Sequence, residues 1–372
     1  MRSKFILIIL FLSWVGVLTA LTPTQSTHAQ DSGLPISQTG KQSTAPTIAI
    51  SPEGTVHIAW EQEDGIWYRR VQHGMLTPLE QISAEGKNPV LAVDPYGEIA
   101  YLAWEQEFSG NYEIFTRKWD AQQGWAAPHN VSNNAGGSTS PTLAVSSLGI
   151  VHLLWSDTTP GDSTLYHAVS ANGESWPESM PINSAHGSNP SAAIDAQGIL
   201  YVAWQNRTSF AENLRIWTMH KADNAWSTPT ALTDGSTQAY SAQISSQNNQ
   251  TRMVWQEGAQ SILALRKDES WQRIRLQAGA SPAVAITEQG TVEWAWKNAQ
   301  GLVREHNRAQ TWQAISWGTP ENSHVTLFAQ ATQIGIAWVE DKASGSQIFY
   351  THDIPATLYL PTYSHIVAIN QS

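Results

Sequence analysis

Seven apolar runs along the chain end in a tryptophan, at Trp60, Trp104, Trp155, Trp204, Trp255, Trp296 and Trp338, and acidic side chains follow most of them. Glu61, Glu105, Asp157, Glu257 and Glu340 lie one or two residues beyond their tryptophan. Glu63, Asp64, Glu107, Asp162, Glu212 and Asp341 extend the set, and Arg207 adds a cation. Two carboxyls at the right separation suffice for glycoside hydrolysis, one as acid and one as base or nucleophile. The same oxygens could hold a hard cation such as calcium, or form a solvated acidic rim. The ligand-binding candidates are therefore Glu61, Glu105, Asp157, Arg207, Glu257 and Glu340, with no catalytic residue, metal ligand or cofactor assigned. No EF-hand loop, H-E-x-x-H, phosphate loop or nucleophile elbow occurs. The chain has no cysteine, which excludes disulfides, thiolate metal sites and a lipidated-cysteine anchor.

These residues recur because the whole segment recurs. "SPEGTVHIAWEQE" has counterparts in "DPYGEIAYLAWEQE", "SSLGIVHLLWSD" and "DAQGILYVAWQN", and seven copies stand 41 to 51 residues apart. A period in the forties marks an array of supersecondary units. Within a copy, a short strand meets a tight turn that closes on Gly54, Gly97, Gly149, Gly198 or Gly290, with Asn249 in the fifth copy. Both residue types tolerate positive φ. A second strand, apolar on both faces, ends at the tryptophan, as expected between two packed sheets. A third strand ("IWYRRV", "EIFTRKW", "TLYHAV") and a weaker fourth ("TPLEQIS") complete the unit. Four antiparallel strands repeated radially predict an all-β fold, a seven-bladed β-propeller. The tryptophans are expected to wedge between blades rather than stack on ligand. His57 and His152 share a strand position with Tyr101 and Tyr201 and are expected to be structural.

The seventh copy stops after its third strand, "IFYTHD". Near the other end, "LPIS" matches the blade endings "LEQIS" and "MPINS", so Leu34–Ser37 is expected to close blade 7 and remove its free edge. The tail "IPATLYLPTYSHIVAINQS" is the competing candidate. Residues 1–29 read as a secretory leader: Arg2 and Lys4, an apolar core, then small Thr27 and Ala29 before the cut. A retained anchor is the alternative. Removal takes away two bases and no acids, so the formal charge of −11 becomes −13. The expected organisation is a leader (1–29), a propeller (30–352) and a tail (353–372), in a secreted or envelope protein with no membrane span after leader removal. A strong acidic balance disfavours nucleic acid.

The repeat, with its "D/N-G-x-S/T-W" turn, resembles the bacterial sialidase-like propellers built from BNR (Asp-box) repeats. The stretch closest to an Asp-box is "SANGESW", Ser170 to Trp176, with Asn172 in the aspartate position. The resemblance implies that ligands meet the loops joining strand four to the next strand one and strand two to strand three. It also implies a triad of arginines, a tyrosine nucleophile with a glutamate, and an aspartate acid. On that face this chain offers Arg207 alone among arginines. Arg69, Arg70, Arg117, Arg266 and Arg304 fall late in strand three, and Tyr350 falls in a repeated strand-three core position. The expected function is a binding or interaction module for a glycan or an extracellular protein. The alternatives are a sialidase-like glycoside hydrolase and a structural envelope protein.

Overall fold

The computed structural model describes residues 33–353, apart from residues 98, 160, 208, 210, 268, 269, 300, 309, 310, 318–324, 331, 332, 343 and 344; for residues 308, 311–317, 330, 342, 352 and 353 it describes the backbone alone. The leader and the tail beyond Asp353 lie outside these residues. The fold is all-β, a seven-bladed propeller of antiparallel sheets. Blade 1 runs Ser43–Ile50, Val56–Gln62, Gly65–Gln72, then Met75–Leu76 and Glu80–Ser83 as an interrupted outer strand. The first three strands of blade 2 are Gly86–Val93, Ile99–Phe108 and Asn111–Asp120; those of blade 3 are Ser138–Val145, Val151–Asp157 and Thr164–Ser170. Blade 4 has Ser188–Ile194, Leu200–Asn206 and Arg215–Ala222, and blade 5 has Ala239–Gln247, Gln250–Glu257 and Gln260–Lys267. Blade 6 has Ala280–Ile286, Val292–Asn298 and Gly301–Arg308, and blade 7 has Val325–Gln330, Gln333–Lys342 and Gly345–Asp353. Among the described residues no helix is long and apolar enough to cross a membrane.

The turn between strands one and two forms as its residues dictate. Gly54, Gly97, Gly149, Gly198 and Gly290 all have φ between 75° and 84°, and Asn249 has φ 62°. The first turn residue then caps the hairpin. Ser51 Oγ accepts from Thr55 N (3.2 Å), Asp94 Oδ1 from Ile99 N (3.1 Å) and Asp195 Oδ1 from Ile199 N (2.9 Å).

The core is divided among the blade junctions. Trp104 packs with Ala59, Ile66 and Tyr68 of blade 1, and Trp155 with Ala103 and Ile114 of blade 2. Trp255 meets Ala203 and Ile216 of blade 4, and Trp60 meets Ala337 and Ile348 of blade 7. Each tryptophan thus sits against the residue that precedes the tryptophan of the blade before. That residue is small in most copies because a neighbour's indole occupies the space beside it. Arginines of strand three fasten the outer edges. Arg69 donates to Ile36 O and Arg117 to Ile82 O, both at 3.1 Å, each reaching the fourth strand of the preceding blade.

Leu34–Pro35 pairs with the third strand of blade 7, Leu34 opposite Tyr350 and Pro35 opposite Phe349. Ile36 N donates to Ile348 O (2.8 Å), Ile348 N donates to Ser37 Oγ (2.9 Å), and Ile36 is fully buried. The N-terminal strand therefore closes the ring, as "LPIS" predicts.

Candidate functional site

The innermost strand of six blades carries the same irregularity. The ladder slips between Thr44 and Thr47, between Lys87 and Val90, and at the matching places in blades 3 to 6, so that two residues face one tryptophan of strand two. Such a bulge is expected where proline removes a donor from the ladder, and Pro46, Pro89, Pro141, Pro190 and Pro282 stand there. The residue ahead of each proline, and Ser241 ahead of Ala242 in blade 5, adopts a left-handed conformation: Ala45, Asn88, Ser140, Asn189, Ser241 and Ser281, with φ between 46° and 55°. Few non-glycine residues do so, and here six do at one repeat position. They form a ring of short, mostly polar side chains on the face that carries the strand two–three and four–one connections.

Hydrogen bonds join this ring from blade to blade. Glu61 of blade 1 accepts from Asn88 N (3.1 Å). Glu105 of blade 2 takes the Asn88 side-chain amide and Ser140 N (3.4 Å). Ser140 Oγ donates to Asn189 Oδ1 at 2.7 Å, Ser156 Oγ accepts from Asn189 N, and Gln205 Oε1 accepts from Ser241 N at 3.3 Å. Burial, with the Glu61 charge as a smaller contribution, raises the Glu105 carboxyl above its usual value. Below the ring the first strands enclose a channel of about 520 Å³. Small residues line much of it, but Phe328 of blade 7 stands where other blades have Ala49, Ala92 or Ala144 (across from Gly335, His57, Tyr101 and His152 respectively).

The sequence-chosen candidates divide into two kinds. Glu61 and Glu105 come together around Asn88. Asp157 is fully buried and accepts from Trp155 Nε1 (3.0 Å), Ser138 Oγ (2.7 Å), Asn134 Nδ2 (2.7 Å) and Thr159 N (2.8 Å). Burial opposes its charge, but these donors prevail and hold its carboxyl below the usual range. Glu257 accepts from Trp255 Nε1 (2.8 Å) and lies 2.9 Å from Arg273. Arg207 is on the exposed strand two–three connection of blade 4, and Glu340 is half-buried on blade 7. Among the described residues no three of His, Asp and Glu are placed to hold a metal.

Sequence reasoning missed the ring residues. Their signal was the recurring Pro preceded by Asn or Ser, but the conformation depends on the register opposite tryptophan. The strand-three arginines and Tyr350, which the sequence set aside as parts of the strand framework, are engaged there. Arg70 lies over Trp119 (4.3 Å) and Arg266 over Tyr201 (5.0 Å), and Arg304 sits 2.5 Å from buried Glu293. Tyr350 is buried in the blade 7–blade 1 core, and burial pushes its phenol far above the usual value. The "SANGESW" turn forms its own bonds: Ser170 Oγ accepts from Gly173 N (2.8 Å), and Asn172 Oδ1 from Ser175 N (2.9 Å).

No family model and no curated protein matches the chain. Solved structures do. A PL25 ulvan lyase aligns with 86% of this chain and 95% of its own, with TM-score 0.57 and 8% identity. A Trypanosoma rangeli sialidase bound to the inhibitor DANA aligns with 84% of this chain and 59% of its own, at TM-score 0.52 and 10% identity. The GH93 α-L-arabinofuranosidase of Fusarium graminearum, with arabinobiose, covers 86% and 96%, at TM-score 0.50 and 11% identity. At such identities the likeness establishes a shared β-propeller fold, and no individual Asp-box repeat.

Proposed function

We propose that the protein is an exported glycan-binding propeller whose ligand meets the ring of left-handed residues at the channel mouth. The observation that carries this is the ring itself: Asn88, Ser140, Asn189, Ser241 and Ser281 set short hydrogen-bonding side chains around one opening. Phe108, at the strand two–three tip of blade 2, and Tyr240, beside Ser241, are exposed aromatics on the same face. Sugars are bound by such combinations, in which polar groups fix orientation and ring faces cover C–H surface. The glycan-acting enzymes among the similar structures support the same class. Binding of an extracellular protein at this face is the competing outcome, and calcium bridging would appear as an EDTA-sensitive interaction.

The Glu61–Glu105 pair favours one second reading, hydrolysis of a bound glycan with Glu105 as the acid. A glycan array followed by calorimetry on purified protein tests the first reading. Asn189→Ala and Ser140→Ala should each weaken saccharide binding at least fivefold without lowering the melting temperature in proportion. Absence of any saccharide ligand would reject it. Chromophore release from neutral glycosides, abolished by Glu105→Gln, would establish the second. No turnover is expected on a fluorogenic sialoside, since carboxylates outnumber bases near the mouth and oppose an anion. N-terminal sequencing of exported protein should begin at Gln30.

A further inference from the structure

A cleft of about 260 Å³ opens between blades 1 and 2 on the ring's face, beside rather than within the channel. Its walls are Gln42 and Thr44, the end of strand two at Glu61 and Glu63, and the connection from Ala84 to Lys87. The cleft exists because its floor lacks side chains. Gly65 stands two residues before the partner of Trp60, where blade 2 has Glu113 and blade 4 has Arg215. In blade 2 that glutamate accepts from Ser132 Oγ and Asn134 N and so anchors a longer connection over the corresponding space. At Gly65 the φ is 111°, and a Cβ would come 2.0 Å from Ser83 O, so the Ser83–Ala84 backbone lies directly on the glycine. The connection is short, Ala84 adds a single methyl, and the space above stays open.

The cleft offers donors and acceptors at fixed places. The Ser346 hydroxyl, 2.8 Å from Gln42 Oε1 and 2.7 Å from Asp341 Oδ1, holds the Gln42 side-chain amide at the cleft wall. Lys87 is steadied by Tyr112, whose hydroxyl lies 3.3 Å from Nζ. Glu61 links the cleft to the ring through Asn88 N. Three carboxylates (Glu61, Glu63, Glu85) face Lys87, while Lys41 is 3.6 Å from Glu63, so the balance is unfavourable to uronates and sialic acids. The carboxylates are not grouped as metal ligands either. The volume is below the roughly 300–1,000 Å³ of sites that take drug-sized molecules, which suits a single ring.

We propose that this cleft is a subsite for one uncharged hexose unit of the glycan whose neighbouring units meet the ring, an inference that rests on the glycan-binding reading above. Calorimetry with neutral tetrasaccharides (cello-, manno- and galacto-series) and with 3′-sialyllactose tests it on the whole mature chain. Ala84→Trp fills the cleft without touching the ring, and Thr44→Trp fills it from the opposite wall should the first variant fold poorly. Either filler should weaken the best neutral tetrasaccharide at least tenfold, and 3′-sialyllactose should bind wild type more weakly than that ligand. Unchanged affinity in a folded filler, with loss in Asn189→Ala, would overturn the subsite and keep the ring. Loss in the fillers with none in Asn189→Ala would keep the subsite and overturn the ring. Failure of every saccharide to bind wild type, or preference for 3′-sialyllactose, would overturn the subsite assignment.

Discussion

At the scale of single residues, the acids behind the tryptophans act mostly on their own fold. Asp157 binds the indole N–H of Trp155 and three further donors, and Glu257 binds that of Trp255 together with Arg273. Trp155→Ala should cost about 3–5 kcal/mol, the range for large aromatic truncations, and would also strip a donor from Asp157; a loss under about 1 kcal/mol in urea melts would contradict the wedge. Buried histidines give a second outcome. Burial, with Arg70 adding to it, lowers His57 to about 3; burial and Lys221 lower His152 to about 4; burial, then His152 and Lys221, lower His167 to about 3. His57 bonds Tyr68 (2.6 Å), and the stacked His152–His167 pair bonds at 3.0 Å. The unfolded chain protonates these imidazoles below about pH 6.5, while the folded chain does not until about 3–4. Stability should therefore fall from pH 6.5 toward pH 4, by up to about 1.4 kcal/mol per pH unit for each histidine. His57→Gln and His167→Gln, followed by chemical denaturation across that range, should flatten the slope; an unchanged slope would remove the histidines as its source. The structural character of His57 and His152 was legible in their repeat position. The bonds of Glu61 to Asn88 and of Asp157 to Ser138 and Asn134 were not, since they join residues 19 to 27 apart and depend on register and blade order.

At the scale of elements, the features that recur were the readable ones. Turn glycines, the tryptophan at the end of strand two and the small residue before it repeat with little variation, so period and alternation located them. The small residue has its explanation only in the assembled sheet, where Ala59 adjoins Trp104 and Ala103 adjoins Trp155. The bulge went unread: a proline recurs in five copies, but the left-handed residue ahead of it and its place opposite tryptophan exist only in the paired sheet. The closing strand was legible because "LPIS" repeats the endings of other blades, with the tail as the one competitor the sequence left open. Truncation before Gln38 removes Ile36 from the core and the Arg69 acceptor at its carbonyl. It should lower the melting temperature far more than truncation after Asp353. The reverse ranking in thermal melts would transfer the closing role to the tail.

At the scale of the whole molecule, the ring is closed inside one blade by residues far apart in sequence. Blade 7 takes its first three strands from one end of the chain and its fourth from the other, so it depends on Leu34–Ser37 finding Gln347–Tyr350. The strand directions place Gly33 and Asp353 together on the face away from the ring of left-handed residues. The antiparallel pairing also sets the mechanics. Tension applied between the two ends enters the ladder at one extremity and reaches Leu34–Tyr350 first, Pro35–Phe349 next and Ile36–Ile348 after that. The bonds are loaded in turn, as in a zipper, instead of together, as in a lap joint. Optical-trap pulling through Gly33 and Asp353 should therefore open blade 7 at low force before any other blade yields, and simultaneous high-force rupture would contradict that geometry. A propeller fastened this way suits attachment by one end and is poorly suited to carrying load between both.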